Sequence, residues 1–334
     1  CSLEFSNIGS STKSPAAYLA FASSQTNVLA VSSSNNGVRN VIKNCVMTTS
    51  NANSPGPIYA IVDQQGSATY AGTGTENAIT GNTIKNFYKT AIQLQYVNGE
   101  TVSGNDISRS ATSSSAPVDT VMYAIYMTNG ACSNASIQLL NNSIHDLPYA
   151  GAVAGSTTNY ISRFWGVASG AVSGKSAYPV VVSGNTFKRI AVLNNVVGLE
   201  ISKGQYYSIK KNELNRLSAD KSGDSYGFNL QTVVDIEVIG NVIRGCVFGA
   251  NGGNSRLMHF SNCGNSNYSW NRLEDNVLDS NKTGNRMTCL SVFDDGDDVY
   301  NFFSFHVTST NLPFNLFDVN SNYNGYLDFA KMVK

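Results

Sequence analysis

Charge is scarce in this chain, and what there is cancels. Lys and Arg number 22 and Asp and Glu number 22, together 13% of 334 residues. A nucleic-acid or anionic-membrane partner requires a basic excess, so neither is expected. Long apolar runs are also missing. Nothing approaches the roughly 18 consecutive apolar residues of a membrane-spanning helix. Histidine is limited to His145, His259 and His306, which are far apart in sequence, and the six cysteines (Cys1, Cys45, Cys132, Cys246, Cys263 and Cys289) contain no Cys-x-x-Cys pair. A zinc site is therefore not expected. The even cysteine count leaves disulfides open, beside the plainer reading of small buried apolar side chains. Sustained apolar spacings of three and four, the mark of an amphipathic helix, are absent.

What the chain has instead is a repeat. Ile79-Thr80-Gly81-Asn82-Thr83-Ile84 gives a frame: an aliphatic residue, two residues, Asn, one residue, then an aliphatic or aromatic residue. The frame recurs around Asn44, Asn105, Asn142, Asn185, Asn212, Asn241 and Asn276. Residues flanking each Asn alternate with period two, as half-buried strands require. Asn tolerates left-handed backbone angles and bonds neighbouring backbone, which suits a corner between two short strands. Spacings from 23 residues (Asn82 to Asn105) to 43 (Asn142 to Asn185) suit a solenoid with loops of different length.

The expected fold is all-β: a right-handed, single-stranded parallel β-helix with an internal Asn ladder. At about 4.8 Å per coil, eight repeats span roughly 40 Å. One domain is expected over residues 1–334, with clear repeats at about 38–278 and terminal coils or a cap over 279–334. The chain begins at Cys1 in mid-pattern, so it is read as a segment of a longer protein, covalently continuous with further domains.

A second strand follows the repeat: Ala91-Ile92-Gln93-Leu94-Gln95, with counterparts Ala124 to Met127, Gly198 to Ile201 and Gly227 to Leu230. Each starts with a small residue and then alternates. Gln93, Tyr126, Glu200 and Asn229 fall between apolar neighbours, so they are expected to form an external stripe along the solenoid. The insertion from Pro148 to Tyr178 is expected to hold a coil of weaker pattern.

The runs Asn40 to Cys45 and Asn77 to Ile84, followed by Ala91-Ile92, resemble the β-helix modules of large surface proteins from Bacteroidota, many of them exported by the type IX system. The resemblance is of the pectate-lyase-like kind and covers roughly Leu3 to Leu278. It implies an extracellular or cell-surface structural or adhesive module that presents a long face to glycans or to surface proteins; separately, no cofactor is expected.

The rival reading is a carbohydrate-active enzyme, since polysaccharide lyases and glycoside hydrolases share such a fold, and fold alone does not decide function. Glu200-Ile201-Ser202-Lys203 resembles the Glu-x-x-Lys segment of alginate and chondroitin lyases, which would make Glu200 and Lys203 the catalytic candidates. The Arg expected about one coil later is missing, and none of the three histidines has the Gly-His-Gly context of pectin hydrolases. Asp294, Asp295, Asp297 and Asp298 are read as a solvated loop, with a calcium site as the alternative.

Overall fold

A computed structural model describes residues 2–5, 17–21, 38–49, 56–64, 76–87, 89–109, 121–147, 158–165, 172–192, 195–219, 224–250, 255–280, 287–293, 299–309 and 315–319. The chain winds as a right-handed parallel β-helix. Sheet 1 has eighteen strands, drawn mostly as two short strands per coil, such as Ala78–Thr80 and Thr83–Lys85. Sheet 2 has ten strands, one per coil, running in chain order from Ala17–Phe21 to Asn315–Val319. The insertion after Pro148 contributes the sheet 2 strand Thr158–Trp165.

Like side chains stack on like from coil to coil. In sheet 1, Ile79, Val102, Leu139, Val182, Ile209 and Val238 occupy one line, and all are buried. Ile84, Ile107, Ile144, Phe187, Leu214 and Ile243 form a second buried line. Ile92 and Leu94 close the same coil from sheet 2. β-branched and aromatic residues suit such lines because they fill a pleated, buried surface. Each buried aliphatic side chain contributes about 1.5–3 kcal/mol of transfer free energy.

The small residue that opens each sheet 2 strand has a steric cause. A Cβ on Gly198 would lie 2.4 Å from Leu214 Cδ2 and 2.5 Å from the Gly227 carbonyl oxygen. The two sheets converge there, and the core side chain of sheet 1 takes the room.

The corner between the two strands of sheet 1 carries the ladder. Asn82, Asn105, Asn142, Asn185, Asn212, Asn241 and Asn271 stack one per coil and are buried. At every step the backbone N–H and the Nδ2 of one Asn donate to the Oδ1 of the next, at 2.9–3.0 Å. Each Nδ2 also donates to a main-chain carbonyl of the preceding coil, as Asn185 does to Leu139 at 2.8 Å. Both amide ends are thus satisfied in a buried place, where an unmade bond costs about 1–3 kcal/mol.

Four details of the expected repeat are corrected. The ladder Asn is not the left-handed residue; the residue before it is. Gly81 (φ 63°), Gly104 (62°), Asn141 (52°), Gly184 (67°), Lys211 (55°), Gly240 (64°) and Trp270 (60°) hold that place. Asn44 holds it too (φ 53°), so it is an exposed corner residue and not a rung. Cys45 takes the rung, its N–H donating to Asn82 Oδ1 at 2.9 Å, and Ile42 and Met47 face the core in place of Val41 and Val46. A slip of one residue exchanges the two faces of a strand, which is why the frame anchored on Asn44 put the wrong valines inside. Asn276 lies one corner further along its coil. There it accepts from the Cys246 N–H at 3.0 Å and donates to the Ile243 carbonyl at 2.8 Å, the same geometry at a second place. The rung in that coil is Asn271.

Cys45 is disulfide-bonded, whereas Cys132, Cys246 and Cys263 are buried and take part in no disulfide. Among the described residues there is no helix long and apolar enough to cross a membrane.

Candidate ligand-binding face

Sheet 2 turns three lines of side chains away from the core. The central one runs Val62, Gln93, Tyr126, Glu200, Asn229, His259, with the backbone of Arg163 holding the register place between Tyr126 and Glu200. All four residues of the expected stripe therefore fall on a single line, at successive coils apart from the coil of Arg163. Strand alternation puts them there: Ile92 and Leu94 must enter the core, so Gln93 cannot.

Their exposure differs from the expectation. Gln93 is 5% exposed, Glu200 6% and Asn229 4%, and Tyr126 is partly buried. The line is covered ground, and its amides and carboxylate are held in contacts. Asn229 Nδ2 donates to Glu200 Oε1 at 3.3 Å, and Gln231 Nε2 donates to Asn229 Oδ1 at 3.1 Å.

At the N-terminal end of this face a groove of about 370 Å³ opens. It is lined by Tyr59, Thr90 and Tyr123 on one register line, Gln93 and Tyr126 on the next, Gln95 and Thr128 on the third, and Lys89. The Tyr123 and Tyr126 rings stack with centroids 4.4 Å apart, inclined by 15°. Such a lining offers ring faces and amide or hydroxyl groups with little charge.

Further along the same face, the chemistry becomes ionic. Tyr226 follows on the first line and Arg256 pairs with it; Asn229 and His259 pair on the central line. The Arg256 guanidinium lies 5.8 Å from the Tyr226 ring centroid and its Nη1 donates to Tyr226 Oη at 3.4 Å. The His259 ring stacks on Tyr226 at 5.6 Å. Burial pushes the Tyr226 phenol up to about 12, and the nearby Asp224 carboxylate adds to the rise. Tyr226, Arg256 and His259 were not among the sequence candidates. Each is a single residue without a local motif, and only the register brings them together.

Lys203 lies exposed at the bend leaving the Glu200 strand. Asp294, Asp295, Asp297 and Asp298 lie outside the described residues. Among the described residues no group of three His, Cys, Asp or Glu is placed to hold a metal ion.

Sheet 1 carries a different cluster at its second corner. His145 Nδ1 meets Asp146 Oδ2 at 2.6 Å, and its Nε2 meets Asp106 Oδ1 at 2.6 Å. Arg189 donates to both oxygens of Asp146, each at 2.6 Å. The Arg189 hydrogen bonds hold the Asp146 carboxyl well below the usual carboxylate range, with His145 contributing in the same direction. Compared with protein families, curated proteins and solved structures, the chain matches none.

Proposed function

We propose that this protein is an extracellular or cell-surface β-helix module that binds glycans along the outer face of sheet 2. One observation carries the reading: a groove lined by Tyr59, Tyr123 and Tyr126 together with Gln93, Gln95 and Thr128 from three adjacent coils. Aromatic faces cover the apolar face of a sugar ring, and amides and hydroxyls bond its hydroxyl groups without any need for charge. A ligand seated in the groove meets ring, amide and hydroxyl groups from three adjacent coils, so weak contacts add. The resemblance to surface modules of Bacteroidota belongs to the same reading. A glycan array followed by calorimetry tests it. Binding should fall at least tenfold in Tyr126→Ala and several-fold in Gln93→Ala; absence of any glycan signal leaves the module a rigid spacer.

The second reading, a polysaccharide lyase or glycoside hydrolase, is favoured by the ionic end of the same face, where Glu200, Tyr226, Arg256 and His259 cluster on two neighbouring lines. Turnover of uronate polysaccharides, lost in Glu200→Ala or Lys203→Ala, would establish it.

A further inference from the structure

The chain is neutral, yet its basic residues are unevenly placed. The line through Lys85, Ser108, His145, Lys188, Asn215 and Arg244 runs along the outer side of sheet 1. Beside it, at the second corner, run Asn86, Arg109, Asp146, Arg189 and Arg216, each one residue further along its coil. Six coils therefore bring Lys85, Arg109, Lys188, Arg189, Arg216 and Arg244 onto two adjoining lines, with His145 among them.

The carboxylates nearby are fewer. Asp146 lies on the track, paired with His145 and Arg189; Asp106 and Glu213 flank it, paired with His145 and Arg244. That leaves, among the described residues of these six coils, six permanent cations against three anions; the next coil ends the track with Glu274 and Asp275 on the same two lines. Among the described residues, no ion pair or hydrogen bond engages the side chains of Lys85, Lys188 or Arg216. At one end the track deepens into a cavity of about 230 Å³ lined by Lys85, Asn86, Ser108, Arg109, His145 and Asp146, with Arg109 buried in its wall.

We propose that this track is a second binding surface, for a linear anionic polysaccharide lying along the solenoid axis, with the Lys85–Arg109–His145 cavity seating one of its anionic groups. The spacing selects the class of polymer. Coils repeat at about 4.8 Å, the strand separation of a sheet, so the track offers roughly one cation per coil. Duplex DNA presents a charge about every 1.7 Å and asks for a much denser array without interposed carboxylates. A hexuronan or a sulfated glycan, carrying about one carboxylate or sulfate per ring or per two rings, matches the sparser spacing. The surface lies on a different sheet from the tyrosine groove and stands or falls separately from it.

Binding of polygalacturonate, κ-carrageenan, neutral dextran and a short DNA duplex to the full chain, measured across a salt series, tests the proposal. The expected result is salt-dependent binding of polygalacturonate or κ-carrageenan, no binding of dextran to this surface, and weaker binding of DNA. The two acidic polymers distinguish carboxylate from sulfate. The double variant Lys188→Gln, Arg216→Gln alters a half-buried and an exposed side chain, neither in a hydrogen bond or close ion pair among the described residues and only Lys188 felt by a carboxylate, that of Glu213, so it folds, as its unchanged melting temperature should verify. It should weaken polyanion binding at least tenfold and flatten the salt slope by about two charges. Tyr126→Ala should leave that binding unchanged. Failure of both acidic polymers to bind at low salt, binding indifferent to the double variant, loss in Tyr126→Ala, or DNA binding as tight as the polysaccharides would each overturn it.

Discussion

Asn82 and Asn105 are 23 residues apart in sequence and one coil apart in space, and the Oδ1 of Asn105 accepts both the N–H and the Nδ2 of Asn82, at 3.0 and 2.9 Å. The next pair, Asn105 and Asn142, is 37 residues apart, and the geometry repeats. Each rung fixes the backbone of one coil through the side chain of the next.

Removing a middle rung should therefore cost more than one ordinary hydrogen bond. Asn185→Leu leaves the N–H and Nδ2 of Asn142 and the Leu139 carbonyl without the Asn185 side chain, and takes from the Oδ1 of Asn212 one of its two donors, the backbone N–H of residue 185 remaining. A loss of roughly 3 kcal/mol or more is expected. Denaturant unfolding measures it, and hydrogen exchange should show the loosening centred on the coils of Asn142 and Asn212. A loss below about 1 kcal/mol would mean that the rungs are passengers of the packed core.

Trp270 should behave in the opposite sense. It is 61% exposed and holds left-handed angles at a corner where four other coils use Gly. A side chain there costs roughly 1–2 kcal/mol, and Gly's extra chain entropy recovers only part of that difference. Trp270→Gly is expected to stabilise the fold by up to about 1 kcal/mol, read as a rise in melting temperature; destabilisation would show that the indole makes a contact worth more than the strain.

The Asp146–Arg189 pair gives a pH dependence with a definite sign. The folded carboxyl titrates below its unfolded value near 3.9. Its contribution to stability is thus present above about pH 4 and is lost as pH falls through the folded pKa. The pair is about half exposed, so the contribution is under roughly 1 kcal/mol. NMR titration of the Asp146 carboxyl should move upward, towards the ordinary value, in Arg189→Gln. No movement would place the cause elsewhere.

Thiol chemistry offers a test of burial. Burial pushes the thiol of Cys246 up to about 12 and that of Cys132 up to about 11. Both are expected to resist alkylation at neutral pH in the native protein and to react within minutes once denatured. Rapid native labelling of Cys246 would show that the second corner opens.

The sequence made the ladder legible from Asn82 to Asn241 because an inward aliphatic residue brackets each rung at fixed distance. It failed at the two ends for definite reasons. Near Asn44 the rung is a Cys, so the nearest Asn drew the frame one residue off. Near Asn271 the bracketing residue is Tyr268 and the corner residue is Trp270, neither of which fits an aliphatic-and-glycine pattern. The register of Gln93, Tyr126, Glu200 and Asn229 was readable because alternation alone determines it. Their low exposure was not, since alternation says which face a side chain takes and not how closely its neighbours in adjacent coils pack around it. Tyr226, Arg256 and His259 carry no local signal, and their neighbourhood exists only through pairing between strands about 30 residues apart.

The ladder also separates two quantities that most folds bind together. Coils of 23, 37, 43, 27, 29 and 30 residues all return the chain to the same Asn geometry. Whatever length lies between rungs is absorbed away from the ladder, so residues can be gained or lost between strands without retuning the coils on either side. Such a scaffold lets surface loops diverge freely while the frame that displays them stays constant, the condition under which a lineage can try new ligands at little risk to folding.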